Sequence, residues 1–283
     1  MDIKLKKSII MQNNYVCKFG ALQNKTNYTS YKNFYKYKED YNSGIPIDFC
    51  DVYVIKMHPL IIAKEIVNHG LNPAIVNLVS DKYGDSNLDS AEGVYDEILN
   101  LRSNYQTISK QNNNFPAKEN ESFYSPQVMI IRDELLNAAK NIFNVSFITI
   151  TRVDKYEFIL DKKSEPEKIF TVNTYIKLKL KIELIFQTAH TAKNPVIIFS
   201  DFGCLKDDLP VKQLVDIFNS CILDYGHCFK QIIFSLNVRT PQEQIIYNTF
   251  LEHILKPQDI INKDLEQDLE QDELLANIIN LSK

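Results

Sequence analysis

The chain has no tryptophan and only 7 glycines among its 283 residues. Glycine lets a backbone approach a phosphate group closely, so the sequence offers little material for a glycine-rich nucleotide loop. No Walker A, GxGxxG or GxSxG motif occurs, which excludes the usual signatures of P-loop, dinucleotide-binding and α/β-hydrolase sites. The 5 histidines form no HxH or HExxH arrangement. We therefore expect neither a bound metal nor a cofactor.

The 5 cysteines form no CxxC pair and show no metal-ligand spacing. An odd count without a disulfide framework predicts reduced thiols and an intracellular location, cytoplasmic or nuclear. No stretch is long and apolar enough to cross a bilayer, and the N-terminus lacks the apolar core of a signal peptide, so we expect no membrane association.

Positive charge is not in excess, because 32 Lys and Arg face 36 Asp and Glu and the net charge is −4. No global basic field indicates nucleic acid as a partner, and we do not expect nucleic acid to bind. The segment Asn27–Lys38 is an exception, since it is locally basic and rich in tyrosine. We interpret it as a solvated, half-packed element, with aromatic and basic contact to nucleic acid as the alternative.

From Val52 onward, short apolar runs alternate with helical patterns, which predicts an α/β layer fold with a mainly parallel sheet. The predicted strands are Val52–Ile55, Ala74–Ser80, Gln127–Arg132, Val145–Thr151, Pro195–Ser200 and Gln231–Asn237. The predicted helices include one after Pro59 that ends before Gly70, Ser90–Tyr105, Thr171–Ala192, one from Pro210, one from Thr240, and a short helical stretch between Arg132 and Val145.

Composition divides the chain into three regions. Residues 1–50 form an N-terminal extension with a helix or two and irregular packing, and residues 51–256 form the α/β domain. Residues 257–283 repeat Asp-Leu-Glu-Gln and form an acidic C-terminal helix or tail. We interpret this tail as a solvated charged helix, with a helix that binds a protein partner as the alternative.

Ligands of open α/β sheets lie beyond the carboxyl ends of the strands, so the loops after Ser80, Thr151 and Ser200 are the candidate site. In the loop Ser200–Pro210, the acids Asp201, Asp207 and Asp208 surround the start of a helix. They are either caps of that helix or part of a ligand loop. Cys204 in this loop is a packing residue or, as the less favoured alternative, a nucleophile.

Asp96 and Glu97 stand just inside the helix that follows the loop after Ser80. Near a helix N-terminus, two carboxylates are favourable simply because they complement the helix dipole. Neighbouring residues on a helix point about 100° apart, so only one of the two can face the loop well. One carboxylic acid aimed at a glycosidic oxygen is nevertheless enough for general-acid catalysis.

The stretch "NLVSDKYGDSNLDSAEGVYDEIL" (Asn77–Leu99) resembles the site motif of the microbial-type poly(ADP-ribose) glycohydrolases. In that family a strand ending Asn-Phe-Ala-Ser leads into a triple-glycine loop and a Gln-Glu-Glu helix start. Asn77 falls on its counterpart without a gap, and Tyr95–Glu97 falls on Gln-Glu-Glu. "FYSPQVMIIRD", "IELIFQTAHTAKNPVIIFSDFGCLKDDLP" and "QIIFSLN" are similar to three further family segments, in the family's order.

The resemblance implies a three-layer, macrodomain-like fold: a mixed, mostly parallel sheet with helices on both faces, plus a helical N-terminal extension. It further implies an ADP-ribose-directed protein that binds or hydrolyses ADP-ribose or poly(ADP-ribose), with ADP-ribose or a poly(ADP-ribose)-modified protein as partner. By this resemblance Glu97 is the catalytic acid and Asp96 a ribose contact. The substrate-binding candidates that it implies are Asn77, Asp85, Ser86, Asn87, Phe202, Gly203 and Cys204.

The sequence departs from the family at the glycines. Asp85, Ser86 and Asn87 replace the triple glycine, Leu205 replaces the glycine after Gly203-Cys204, and Phe202 stands where tryptophan is usual. The family's Pro-Ala-Pro/Val-Asn segment appears here as Thr151-Arg152-Val153-Asp154. These changes motivate an alternative, a catalytically degenerate pseudo-enzyme that uses the fold to bind a protein partner or another nucleotide.

Overall fold

The computed structural model describes residues 3–23, 31–36, 50–79, 95–111, 118–153, 155–161 and 167–256. Its helices are α1 Ile3–Lys18, α2 Pro59–Asn68, α3 Tyr95–Arg102, α4 Tyr105–Gln111, α5 Val172–Thr191, α6 Val211–Tyr225 and α7 Pro241–His253. Its strands are β1 Tyr31–Phe34, β2 Asp51–Ile55, β3 Pro73–Val79, β4 Glu121–Arg132, β5 Ala138–Thr151, β6 Phe158–Asp161, β7 Glu167–Phe170, β8 Val196–Phe199 and β9 Gln231–Ser235.

Seven strands form one mixed sheet in the order β1-β4-β5-β3-β8-β9-β2, while β6 and β7 pair separately as an antiparallel hairpin. The neighbours β3/β8, β8/β9 and β9/β2 are parallel, whereas β4 and β5 are antiparallel. Every residue of β8 and β9 is buried, as expected for parallel strands covered on both faces. The predicted class, a mostly parallel mixed α/β sheet with helices, is confirmed.

The chain divides into two compact units, Met1–Asn33 with Asn77–Arg152 (unit 1) and Phe34–Val76 with Val153–Lys283 (unit 2). The division passes through β3, whose first half belongs to unit 2 and whose second half belongs to unit 1. The predicted boundaries at residues 50 and 256 follow composition and stay a prediction.

Unit 2 is held by an aromatic core. The ring of Phe218 meets the rings of Phe199 and Phe234 edge-on at centroid distances of 5.0 Å each. Phe234 also packs against Phe199 and Phe250, at 5.4 and 5.2 Å. Edge-to-face and offset ring pairs add about 0.5–1.5 kcal/mol each beyond the burial of their area. These contacts fix β8, β9, α6 and α7 to one another. The loop Ser200–Pro210, which is one of the candidate site loops, follows β8.

Helix boundaries in unit 2 follow the signals in the sequence. The Thr240 hydroxyl accepts a hydrogen bond from the backbone N–H of Glu243, and the Glu243 carboxylate accepts one from the backbone N–H of Thr240. The two bonds complete the predicted capping box of α7. Gly70 has φ +81° after α2, and its N–H bonds to the carbonyl of Val67 while Leu71 bonds back to Ile66. This Schellman motif needs a left-handed residue, which explains the glycine.

The predicted short helix between Arg132 and Val145 is wrong. The chain turns at Asp133, whose carboxylate accepts from the backbone N–H groups of Leu135 and Asn137 at 2.9 Å each. Leu136 takes φ +65°, and β5 begins at Ala138 opposite Arg132. An Asx-type turn and pairing with β4 therefore override the helical propensity of the leucines and alanines.

The predicted single helix Ser90–Tyr105 is interrupted, and its first five residues lie outside the described part of the chain. α3 ends at Arg102, and Asn104 then exchanges two hydrogen bonds with the backbone of Met129. Ser103 forms an isolated bridge to Ile130. The chain pairs briefly with β4 there, so α4 starts as a separate helix.

The N-terminal region contributes not only α1 but also β1, a strand at the sheet edge that we did not expect.

Candidate functional site

In unit 1 the candidate site begins at the end of β3, where Asn77 is 0% exposed. Its Nδ2 atom donates to the hydroxyl of Thr149 at 3.5 Å, and Thr149 also pairs with the Tyr105 hydroxyl. We call Asn77, Thr149 and Tyr105 the Asn77 cluster. The ring of Tyr105 packs on Phe147 at 5.2 Å. The cluster fixes β3, β5 and α4 together, so Asn77 acts first as a positioning residue, and its predicted contact with substrate stays a prediction.

One atom of the Asn77 cluster has no hydrogen-bond partner. Asn77 Oδ1 is buried, and no group in the described residues donates to it. A buried acceptor without a donor costs about 1–3 kcal/mol, and native structures contain few of them.

β5 meets β3 again one step beyond this cluster. The backbone N–H of Arg152 donates to the carbonyl of Val79 at 2.9 Å, so the two strands stay joined up to their carboxyl ends. Arg152 is half-buried, and its Nε atom is buried. The sequence pattern did not single out Arg152 as a functional residue, although it lies in the segment where the chain departs from the glycohydrolase motif.

The predicted acids follow after the loop. α3 begins at Tyr95, so Asp96 and Glu97 lie in its first turn, as the motif predicts. The orientation of their side chains, and all of Asp85, Ser86 and Asn87, lie outside the described residues. Behind the acids α3 is well anchored: Ser103 Oγ donates to the Leu99 carbonyl at 2.6 Å, and Asn13 Nδ2 donates to the Leu101 carbonyl at 2.9 Å. The backbone that carries Glu97 is therefore fixed at its far end.

In unit 2 the loop Ser200–Pro210 follows the buried strand β8. It opens with a tight turn in which the N–H of Cys204 donates to the Asp201 carbonyl at 3.0 Å. The two central residues are left-handed, Phe202 with φ +53° and Gly203 with φ +81°, which defines a type I′ turn. Gly203 accepts this conformation without strain, whereas a phenylalanine in it costs about 1–2 kcal/mol.

The Phe202 side chain compensates for this strain. It is only 2% exposed and meets the ring of Phe218 edge-on at 5.4 Å. Backbone strain held by packing at the end of a strand is typical of binding and catalytic loops. Because the ring is buried, Phe202 cannot offer a ligand its face in this conformation. Any contact that Phe202 and Gly203 make with a ligand would come from their backbone.

Cys204 is buried next to this turn. Burial, and after it the nearby carboxylates of Asp201 and Asp207, raise the pKa of the Cys204 thiol well above its ordinary value. A thiol in these surroundings stays protonated at neutral pH and is a poor nucleophile. The geometry thus favours the packing role of Cys204 over the nucleophilic alternative.

The N-cap residue of α6 is Pro210, which makes no side-chain capping hydrogen bond, so none of the three loop acids occupies the N-cap position itself. Asp208 instead receives the Lys168 ammonium group, which bonds its carboxylate at 2.5 Å and its carbonyl at 2.6 Å. The same ammonium lies 3.9 Å from the centroid of the Phe158 ring. Asp208 therefore ties the loop to the hairpin of β6 and β7.

The described residues contain no cluster of three or more His, Cys, Asp or Glu side chains arranged to hold a metal ion. Within the same part of the chain, no helix is long and apolar enough to span a membrane. Unit 1 thus contributes a buried amide and a half-buried arginine as candidate groups. Unit 2 contributes the carboxylates and the type I′ turn of the loop Ser200–Pro210.

The chain folds as a mixed α/β protein with a mostly parallel sheet. No family model matches the chain, and no curated protein matches it in sequence. Solved structures do match. The poly(ADP-ribose) glycohydrolase of Thermomonospora curvata superposes with a TM-score of 0.65 at 13% identity, over 89% of this chain and 100% of that chain.

The same Thermomonospora enzyme bound to the inhibitor ADP-HPD gives a TM-score of 0.65 at 14% identity, over 88% of this chain and 99% of that chain. The poly(ADP-ribose) glycohydrolase of Deinococcus radiodurans in complex with ADP-ribose gives 0.56 at 14% identity, over 71% and 83%. The chain therefore has the fold of the microbial poly(ADP-ribose) glycohydrolases, which confirms the predicted resemblance for the fold.

Proposed function

We propose that the protein is ADP-ribose-directed: it binds ADP-ribose units beyond the carboxyl end of β3 and hydrolyses the bond between them. The observation that carries this proposal is the position of Glu97. It lies in the first turn of α3, after the loop that follows β3, in a chain with the complete fold of the Thermomonospora glycohydrolase. No other acid in the motif is identical to the residue that the family has there.

In the proposed reaction the Glu97 carboxylic acid donates its proton to the departing ribose oxygen. The ribose develops oxocarbenium character as the glycosidic bond breaks, and water attacks the sugar carbon. Asp96 holds ribose hydroxyl groups by accepting their hydrogen bonds. The water gives up a proton as it adds, so the products are two free hydroxyl groups and Glu97 returns to its acid form.

The helix position of Glu97 sets a physical condition on this chemistry. The N-terminus of α3 favours a charged carboxylate, whereas an acid catalyst must hold its proton near neutral pH. Removal of water around Glu97, when substrate covers it, shifts the balance toward the protonated form.

The matching experiment measures release of ADP-ribose from poly(ADP-ribose) by liquid chromatography. We expect wild-type protein to release it and Glu97→Gln to lose at least about 10²-fold in rate, because general-acid help is worth roughly 10²–10⁴-fold. Glu134→Gln removes a carboxylate from the exposed β4–β5 turn and serves as the matched control. Equal rates for wild type and Glu97→Gln would rule out the catalytic role.

The second candidate function is a pseudo-enzyme that binds ADP-ribose poorly or not at all and uses the fold for a protein partner or another nucleotide. The buried side chains of Phe202 and Cys204 and the carboxylates of Asp201, Asp207 and Asp208 favour it. Carboxylates repel a diphosphate at close range. Calorimetric titration separates the two candidates, since heat from ADP-ribose binding argues against the pseudo-enzyme and its absence argues for it.

A further inference from the structure

The hairpin of β6 and β7 forms a two-stranded sheet of its own and is anchored at its base. The backbone N–H of Thr171 donates to the Glu157 carbonyl at 3.0 Å, and the N–H of Glu157 donates to the Thr174 hydroxyl at 3.0 Å. These bonds join the ends of the hairpin to the start of α5. Further out, the side chains of Ile159 and Leu160 are 52% and 66% exposed. A two-stranded hairpin is only marginally stable by itself, so the outer part of this one depends on its contacts with the rest of unit 2.

β7 is bonded to the chain on both sides of Pro210. The Lys168 ammonium group donates to the carboxylate of Asp208 at 2.5 Å and to the Asp208 carbonyl at 2.6 Å. Two residues further on, the backbone N–H of Phe170 donates to the side-chain oxygen of Gln213 at 2.6 Å, in the first turn of α6. The hairpin is thus bonded both to the end of the β8–α6 loop and to the helix that follows this loop.

The Lys168 ammonium group has three kinds of partner. Besides the carboxylate and the carbonyl of Asp208, it faces the ring of Phe158, whose centroid lies 3.9 Å away. That ring stacks in turn on the buried ring of Phe170 at 5.9 Å. An ammonium group has three N–H donors and is attracted to the face of an aromatic ring. Because all these contacts are made by one cation, loss of its charge weakens them together.

The contact holds Asp208 in an unfavourable conformation but is open to water. Asp208 has φ +48°, in the left-handed region that residues with a side chain seldom occupy. Lys168 bonds the backbone and the side chain of this one residue, and it therefore stabilises the left-handed conformation. The Asp208 side chain is 89% exposed and that of Lys168 is 34% exposed. Dissolved ions compete for both partners of such an ion pair, so the contact opens readily.

We propose that the β6–β7 hairpin is a strap on the β8–α6 loop and that Lys168 is its latch, which is released by high ionic strength or by loss of the lysine charge. With the latch closed, Asp208 is left-handed and the loop is ordered. With the latch open, the hairpin moves outward about its base at Thr171, and the amides of the loop exchange with water. The device lies within unit 2 and needs no ligand, so it is independent of the proposed function.

Amide hydrogen exchange followed by NMR tests the latch. The reporters are the N–H groups of Asp207 and Leu209, whose hydrogen bonds lie within the loop at 2.9 and 3.0 Å. Lys168→Gln should speed exchange at both about 10-fold, because a hydrogen bond to a charged group is worth about that factor. Lys168→Arg keeps the charge and should stay within about threefold of wild type. Lys206→Gln removes an exposed lysine from the same loop and is the matched control, for which we expect no change.

Salt dependence gives an independent readout. Raising the NaCl concentration from about 0.05 to about 0.5 M should speed exchange at the reporters at least about threefold in wild type and hardly at all in Lys168→Gln. The amide of Ile233, in the buried strand β9, should exchange at the wild-type rate in every variant.

Three results would overturn the latch. The first is equal exchange at Asp207 and Leu209 in wild type and Lys168→Gln. The second is a salt response that is the same in these two proteins. The third is faster exchange at Ile233 as well in Lys168→Gln, together with a lower urea midpoint, which would assign Lys168 a general structural role instead.

Discussion

Replacement of Phe202 by alanine and by glycine tests whether the turn after β8 is strained as its geometry indicates. Both variants lose the buried ring and its edge-on contact with Phe218, which costs about 3–5 kcal/mol. They differ in the backbone. At φ +53° alanine keeps the left-handed penalty of about 1–2 kcal/mol, whereas glycine is free of it.

Part of this advantage is offset because glycine has more conformational freedom in the unfolded chain, which stabilises the unfolded state by about 0.5–1 kcal/mol. The net expectation is that Phe202→Gly is more stable than Phe202→Ala by about 0.5–1 kcal/mol. Urea unfolding followed by circular dichroism, with midpoints converted to free energies of unfolding, resolves such a difference.

The control is the same pair of substitutions at Asp216, an exposed position inside α6. There alanine should be more stable than glycine by about 1 kcal/mol, as in any exposed helix interior. The order of the two variants must therefore reverse between position 202 and position 216. If alanine is the more stable variant at both positions, Phe202 does not occupy a left-handed conformation and the strain argument for this loop is refuted.

Three further predictions concern the frame around the site. Gly70→Ala should lower the free energy of unfolding by about 1 kcal/mol although its Cβ meets nothing within 4 Å, since only the φ of +81° opposes it; an unchanged urea midpoint would contradict this. Tyr105→Phe should cost about 1–2 kcal/mol by leaving Thr149 short of a partner, and a neutral result would remove the Asn77 cluster as a lock. Burial raises the pKa of Asp51 above its ordinary value of 3.8. The folded protein therefore loses stability as the pH rises from about 3.8 through the raised pKa, because the buried carboxyl must then become charged. Asp51→Asn should therefore raise the thermal midpoint at pH 7 relative to wild type, and the gain should shrink below pH 4; a pH-independent gain would contradict the linkage.

The sequence predicts the parallel part of the fold well because there the chemistry is local. A mainly apolar run such as Ala74–Ser80 suits a strand that is covered on both faces. Thr240, Pro241 and Glu243 together mark a helix start by their side-chain hydrogen bonds alone. No distant contact is needed to interpret either signal, and the structure confirms both.

The secondary-structure predictions that failed did so because of contacts between residues that are distant in the sequence. The residues after Asp133 have helical propensity, but pairing with β4 makes them a strand. The local sequence does not indicate that β4 will pair with them. The break after Arg102 depends on Asn104 reaching Met129, 25 residues further along the chain. A left-handed Phe202 runs against the usual preference for glycine, so the type I′ turn is invisible until Cys204 is seen to bond Asp201.

The candidate site shows the same division. The motif around Asn77 and Glu97 predicts a strand followed by a loop and a helix, and β3 and α3 lie there. The roles of the residues depend on burial, which no motif encodes. The side chains of Asn77 and Phe202 are buried, and the backbone N–H of Arg152 donates to the carbonyl of Val79. A sequence pattern identifies candidate site residues, whereas the direction in which their side chains point follows from packing.

The most direct test of the central claim is a calorimetric titration of the wild-type protein with ADP-ribose at low salt. Recognition at the carboxyl end of β3 predicts saturable binding with a dissociation constant of about 1–100 μM, or about −8 to −5.5 kcal/mol. AMP should bind more weakly than ADP-ribose, because it lacks the second phosphate and the ribose that Asp96 is proposed to hold. A titration without saturable heat at millimolar ADP-ribose would contradict the account and leave the pseudo-enzyme as the better description.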